Sequence, residues 1–242
     1  MKIDLNQRVA IVTGAGHGRG ATIARTLATA GARVAVNDLN PDRAEKVAAD
    51  IRAAGGQAIG IAADVSNKFQ CVHLIETTRA EFGQLDILVN NAEVRPASTI
   101  LKQDEWEWNR CLEVNLKGPF FMSQLTGRVM ADENKDRGGA IVNISSPAGF
   151  ATPLENRAAF CASKAGMVGF ARECAREFAA YGIRVNTILP AADQEDDAHQ
   201  AVAHLALFLC SAAAGQTTGG IFPINAFSSG TDPAAVAEPG AR

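Results

Sequence analysis

The segment Thr13-Gly14-Ala15-Gly16-His17-Gly18-Arg19-Gly20 constrains this chain more than any other. It follows the apolar run Val9-Ala10-Ile11-Val12-Thr13 and precedes a helical pattern over 21–30 that stops at Gly31, a residue that ends helices readily. A buried strand, a glycine-rich turn and a helix, in that order, begin a strand–helix–strand unit. Glycines at the turn let the backbone bend sharply and approach a pyrophosphate, whose charge the helix N-terminus favours. The competing reading is a tight turn with no ligand. The strand–loop–helix context and an acid at the end of the second strand, Asp38, favour a dinucleotide. Asp38 would bind the adenosine ribose hydroxyls and repel a 2′-phosphate, so NAD is expected over NADP. Its simpler role is a turn residue before Asn40-Pro41.

The alternation continues along the chain. Val34-Ala35-Val36 reads as a second strand, Pro41 opens a helix at a position proline favours, and Gly55-Gly56 closes it. Residues 59–62 predict a third strand, 68–82 a helix and Ile87-Leu88-Val89 a fourth strand. Asp104 is placed to cap one long helix through Trp106, Trp108 and Leu112 toward Leu125. A fifth strand at 140–144, a helix at 158–180, a sixth strand at 184–189, a helix at 198–210 and a short strand at 221–224 complete the pattern. Strands with little internal alternation, separated by helices, predict one parallel sheet of about seven strands covered on both faces. The expected fold is therefore α/β, a doubly wound three-layer sandwich. One domain is expected over 1–227, followed by a flexible tail at 228–242 rich in Ala, Gly, Pro and Ser.

Composition narrows the function classes. The chain has 242 residues, a length that suits one α/β domain. Its 47% hydrophobic and 20% charged residues are the balance of a soluble globular protein. A net charge of −3 argues against a nucleic-acid surface, and no run of 18 apolar residues offers a membrane span. Residues 1–8 carry charges and no apolar signal core. The five cysteines lack C-x-x-C spacing and read as buried thiols rather than disulfides or metal ligands. The expectations are a cytoplasmic protein with no metal, no nucleic acid and no membrane partner.

Thr13-Gly14-x-x-x-Gly18-x-Gly20 resembles the cofactor loop of short-chain dehydrogenases/reductases, close to the 3-oxoacyl-[acyl-carrier-protein] reductase branch. Further similarities follow in order over residues 5–225. Asp64-Val65 resembles the pair that holds the adenine amine, and Asn90-Asn91-Ala92 the motif after the fourth strand. The stretch from Trp108 to Asn115 resembles the helix bearing the active-site asparagine. Ile144-Ser145-Ser146 with Gly149 resembles the serine strand, with Ser146 in the catalytic place; Lys164 resembles the catalytic lysine, and Asn186 and Pro190 the segment after the sixth strand. The resemblance implies strand order 3-2-1-4-5-6-7, a homodimer or homotetramer, and hydride transfer at a nicotinamide to or from a carbonyl or secondary alcohol; the branch suggests an acyl thioester. It assigns Asn115, Ser146 and Lys164 to catalysis. It assigns Gly14, His17, Gly18, Arg19, Gly20, Asp38, Asp64, Val65, Asn91, Ala92, Lys164 and Pro190 to the cofactor.

The resemblance breaks at the reacting end. Phe160 stands four residues before Lys164, where the family carries a tyrosine that protonates the carbonyl oxygen. The chain's one tyrosine is Tyr181. The family's Asn-Asn-Ala-Gly reads Asn90-Asn91-Ala92-Glu93, Ala191 replaces a glycine after Pro190, the lid helix is shortened or missing, and Pro223-Ile224-Asn225-Ala226 replaces Val-Asp-Gly-Gly. Such a chain is expected to be an oxidoreductase with weakened or redirected catalysis; the alternatives are an NAD-binding pseudoenzyme, a lyase or isomerase on the same scaffold, or an engineered Tyr-to-Phe variant. Substitute proton donors are Glu93, Cys161, His17, or water held by Ser146 and Lys164. Against those roles, Glu93 could simply pair with Arg95, Cys161 pack in the core and His17 sit at the adenosine end. Arg19 could contact a phosphate or be solvated. Trp106 and Trp108 read as helix-packing residues, His73, His199 and His204 as surface residues, and the acidic run 193–197 as a solvated helix entrance.

Overall fold

The computed structural model describes residues 3–148, 154–190 and 196–224, with the side chains of 196 and 197 excepted. Gly149, the segment after Pro190 through residue 195, and the tail 228–242 with its expected flexibility lie outside the described residues. The strands are β1 (Val9–Val12), β2 (Arg33–Asp38), β3 (Gln57–Ala62), β4 (Ile87–Asn90), β5 (Gly139–Ile144), β6 (Ile183–Pro190) and β7 (Ile221–Ile224). The helices are α1 (Gly18–Thr29), α2 (Pro41–Ala53), α3 (Lys68–Phe82), α4 (Glu105–Leu112), α5 (Gly118–Glu133), α6 (Ala158–Phe178) and α7 (Asp196–Cys210). The strands form one parallel sheet in the order β3-β2-β1-β4-β5-β6-β7.

Two cores, one on each face, explain the apolar strands. Ala10, Val12, Val34 and Val36 pack with Ile23, Leu27, Val47, Ala203 and Ala206 from α1, α2 and α7. Val9, Ile11, Ala35 and Leu88 pack on the other face with Leu74, Ile75, Met122 and Ala171 from α3, α5 and α6. Adjacent strand residues thus serve opposite faces, and neither face can be polar. The doubly wound reading holds. Among the described residues no helix is long and apolar enough to cross a membrane.

The structure corrects several local expectations. The helix from Asp104 is not one uniform cylinder: α4 passes through a π-turn at Glu113–Lys117 before α5 begins at Gly118-Pro119. Asp104 does cap it, its Oδ1 accepting from the Trp106 and Glu107 amides at 2.8 and 3.3 Å. Trp106 is 71% exposed, so it does not pack as a helix-packing residue would, whereas Trp108 joins a small cluster around Phe160. Asp104 fixes where the helix starts, and that phase turns Trp106 outward.

Gly138 shows where the fold depends on a missing side chain. It turns the chain between α5 and β5 with φ +60°, and a Cβ there would strike the Gly182 carbonyl oxygen. Gly138→Ala is expected to cost about 1–3 kcal/mol for the left-handed backbone alone. The thermal midpoint should fall by about 2–4 °C per kcal/mol at this chain length; an unchanged midpoint in a melting experiment would contradict that role.

Candidate active site

The C-terminal ends of β1, β2 and β4 frame one cleft of about 380 Å³. Its floor is the glycine loop, held against the segment after β4. The Thr13 hydroxyl accepts from the Asn91 and Ala92 amides at 3.0 and 3.1 Å, and Asn91 Nδ2 donates to the Thr13 and Gly14 carbonyls at 3.0 Å each. A Cβ at Gly14, whose φ is +59°, would lie 2.7 Å from Ala92 Cα. At the outer end Asp38 is buried, accepting from the Gly16 amide at 3.1 Å and the Asn40 amide at 3.0 Å. His17 Nδ1 stands 3.7 Å from the same carboxylate. Asp38 therefore plays the turn role weighed for it while still lining the cleft. Asp64 and Val65 line the cleft too, but the Asp64 carboxylate is already engaged by Ser66 and by Arg110 at 3.0 Å. Those hydrogen bonds and the Arg110 charge outweigh burial, the largest single influence, and hold its pKa below the ordinary value.

The inner end is a charge cluster. The Lys164 side chain is 0% exposed; its Nζ donates to the Ile144 carbonyl at 2.9 Å and lies 2.8 Å from Glu93 Oε2. Glu93 Oε1 accepts from Arg19 Nη2 at 3.2 Å, Arg95 Nε at 2.8 Å and Arg95 Nη2 at 2.5 Å. Arg19 also donates to Asn91 Oδ1 at 3.0 Å. One carboxylate thus gathers three cations. Burial alone would raise the Glu93 pKa, but the charges of Lys164, Arg19 and Arg95 hold it well below the ordinary range. Burial pushes the Lys164 ammonium below the usual lysine value, and the Glu93 charge opposes that shift.

Asn115 explains why Glu93 points inward. The π-turn brings its amide to the post-β4 segment, where Oδ1 accepts from the Val94 amide at 2.8 Å and Nδ2 donates to the Val94 carbonyl at 2.9 Å. Asn115 also reaches Ser163 Oγ at 3.1 Å. With both neighbours held, residue 93 lays its side chain between Arg19 and Lys164.

Phe160 is 1% exposed and packs with Cys111, Ala148, Ala159, Trp108 and Leu154. The Arg95 guanidinium lies 5.1 Å and Lys164 Nζ 5.5 Å from the ring centroid, within cation–π range. Ser146 Oγ accepts from the Ala148 amide at 3.1 Å, and Ser145 Oγ ties β5 to α6 by donating to the Lys164 carbonyl at 2.8 Å. Tyr181 is exposed beyond the end of α6.

Of the substitute proton donors, Glu93 is held as a carboxylate by the charges of Lys164, Arg19 and Arg95, and His17 belongs to the outer end. Cys161 leans on the Phe160 cluster, half-buried. Burial pushes the Cys71, Cys174 and Cys210 thiols up to about 12 and raises Cys111 as well, which disfavours the thiolate at all four. Arg19 is neither solvated nor free, because Glu93 holds it. Pro190 ends β6 but does not line the cleft. His199, expected at the surface, lines the cleft beside the glycine loop. The packing of α7 on α1, invisible in local sequence, puts it there. The pairs Arg19–Glu93 and Glu93–Lys164 were likewise unread; an acid in place of a glycine was the available signal.

Comparison with known proteins gives a consistent picture. The profile for short chain dehydrogenase matches residues 8–203. The chain is 42% identical over 200 residues to D-threitol dehydrogenase of Mycolicibacterium smegmatis, covering 81% of this chain and 74% of that one. It is 36% identical over 187 residues to a 3-oxoacyl-[acyl-carrier-protein] reductase of Synechocystis sp., covering 77% and 74%. A crystal structure of a short-chain type dehydrogenase/reductase from Mycobacterium marinum superposes with a TM-score of 0.85 at 30% identity, covering 91% and 94%.

Glu93→Gln leaves a buried ammonium without its counter-charge and is expected to cost about 3–5 kcal/mol at pH 7. The folded Glu93 pKa is depressed, so its stabilisation is complete above the unfolded value and is lost as pH falls below about 4. Urea denaturation of both proteins should show the gap narrowing on acidification. A gap that stays constant with pH would rule out an ionised Glu93.

Proposed function

The chain belongs to the short chain dehydrogenase family, and from that premise we propose that it binds NAD(H) and acts as a weak oxidoreductase on the carbonyl or secondary alcohol of a small molecule. The observation that carries this reading is one cleft that joins a nucleotide-type loop and Asp38 at its outer end to Glu93 and Arg95 at its inner end, with Lys164 and Phe160 buried behind those two side chains. The outer residues fit the adenosine and pyrophosphate half of a dinucleotide. Gly14 and Gly18 have positive φ, α1 begins at the loop with no acid in its first turn, and a Cβ at Gly14 would close the floor. Gly14, His17, Gly18, Gly20, Asn91 and Ala92 would hold that half, Asp64 and Val65 the adenine. Asp38 would receive the ribose hydroxyls and reject a 2′-phosphate, giving NAD its preference over NADP. When bound, the nicotinamide supplies or accepts the hydride.

At the inner end Ser146 would hydrogen-bond the substrate oxygen and the Lys164 charge would favour electron density on it. Phe160 removes the phenol that would donate the proton, and water held at Ser146 is the remaining source. A positioned general acid contributes about 10²–10⁴-fold, so catalysis is weakened by that order. The relatives' names make a polyol and a 3-oxoacyl thioester the first substrates to test. A homodimer or homotetramer in the cytoplasm completes the reading. A second reading, NAD binding without turnover, is favoured by the Glu93–Lys164 pair, which occupies the ammonium a working site would need.

Calorimetry should show NADH binding more tightly than NADPH, with the preference lost in Asp38→Ala; no NADH binding would reject the proposal. Phe160→Tyr should raise NADH oxidation with a carbonyl panel by roughly 10²–10⁴-fold. No gain, with NADH still bound, would favour the binding-only reading.

A further inference from the structure

The charge cluster at the inner end does not balance. Arg19, Arg95 and Lys164 bring three positive charges, and Glu93 returns one negative charge. The other acids lining the cleft among the described residues are committed elsewhere, Asp38 to the Gly16 and Asn40 amides and Asp64 to Ser66 and Arg110. A fourth cation lies close by, since the Arg157 guanidinium donates to the Arg95 carbonyl. Lys164 has no access to solvent and is already engaged by Glu93 and the Ile144 carbonyl. The surplus therefore resides on the two guanidiniums. Arg19 is only 13% exposed, so water compensates its charge poorly, while Arg95 is 34% exposed and lines the cleft with its guanidinium over the Phe160 ring. Guanidiniums present paired N–H donors that match a carboxylate or phosphate edge.

We propose that Arg95 and Arg19 form a subsite for the oxyanion of a small ligand, a carboxylate or a phosphate, in the cleft that both guanidiniums line. Glu93 orients both guanidiniums through one oxygen and neutralises only part of their charge. The ligand's anion supplies the rest. A carboxylate-bearing carbonyl compound would reach the site through its acid group. The pyrophosphate bridge of a dinucleotide carries the same chemistry and is the other source of such an anion.

The test titrates pyruvate and inorganic pyrophosphate separately into the wild-type protein, Arg95→Gln, Arg19→Gln and Glu93→Gln, with and without saturating NADH, by calorimetry. A charge-assisted hydrogen bond is worth enough that removing either guanidinium should weaken anion binding about tenfold or more. Glu93→Gln, where it folds, should bind the anion more tightly because a like charge has gone. Arg95 is on the surface side of the cluster, so Arg95→Gln keeps the test open if Glu93→Gln does not fold. Pyruvate binding that survives saturating NADH assigns the subsite to a substrate carboxylate. Pyrophosphate binding that NADH abolishes assigns it to the dinucleotide bridge. Failure of both anions to bind at millimolar concentration, or binding unchanged in an Arg95→Gln protein with wild-type circular dichroism, overturns the proposal. Anion binding without any NADH binding would leave the subsite standing and reject the dinucleotide reading instead.

Discussion

The ion pair between Glu93 and Lys164 is the interaction on which the inner end of the cleft depends. A lysine with no exposed surface loses several kcal/mol of hydration, which only a well-placed partner offsets. Glu93 is that partner, 2.8 Å away, and it is itself kept ionised by two arginines. Remove the carboxylate and a buried ammonium faces two guanidiniums and an aromatic ring. Retain it and the lysine's charge is spent inside the protein. Phe160 belongs to the same arrangement: a ring without a hydroxyl asks for no hydrogen-bond partner and offers a π face to Arg95 and Lys164.

The rest of the site holds this pair in place. Asn91 clasps the glycine loop from one side and receives Arg19 on its other amide atom. Asn115 grips the Val94 backbone through both of its amide atoms, and the π-turn in the helix is what brings it within reach. Ser145 fastens α6 to β5 at the residue bearing the ammonium. Between the two asparagines, the five residues that end in Arg95 have little freedom. The side chain at position 93 must enter the cleft, so an acid there acquires a partner and a glycine there would have left the space open.

Much of this was legible in the sequence because it is local. Apolar runs without alternation mark strands buried on both faces, and each glycine or capping residue marks where a helix begins or ends. Asn115, Ser146, Lys164 and Phe160 could be named because the motifs around them resemble those of a known family. What escaped was contact between elements. Arg19 and Glu93 are 74 residues apart, and nothing in either neighbourhood announces the other. His199 reaches the cleft only because α7 packs on α1. The π-turn escaped as well, since no glycine or capping residue marks where it begins. The departures from the family pattern at 93 and 160 looked like separate losses in the sequence; in three dimensions they are neighbours around one ammonium.

The central claim is that Glu93 and Lys164 stabilise the protein as a unit. A double-mutant cycle tests it directly: Glu93→Gln, Lys164→Met and the double variant, each unfolded in urea at pH 7. The account predicts that each single change costs about 3–5 kcal/mol and that the double variant costs well under the sum, because it leaves no unpaired charge. Costs that add to within about 0.5 kcal/mol would contradict it.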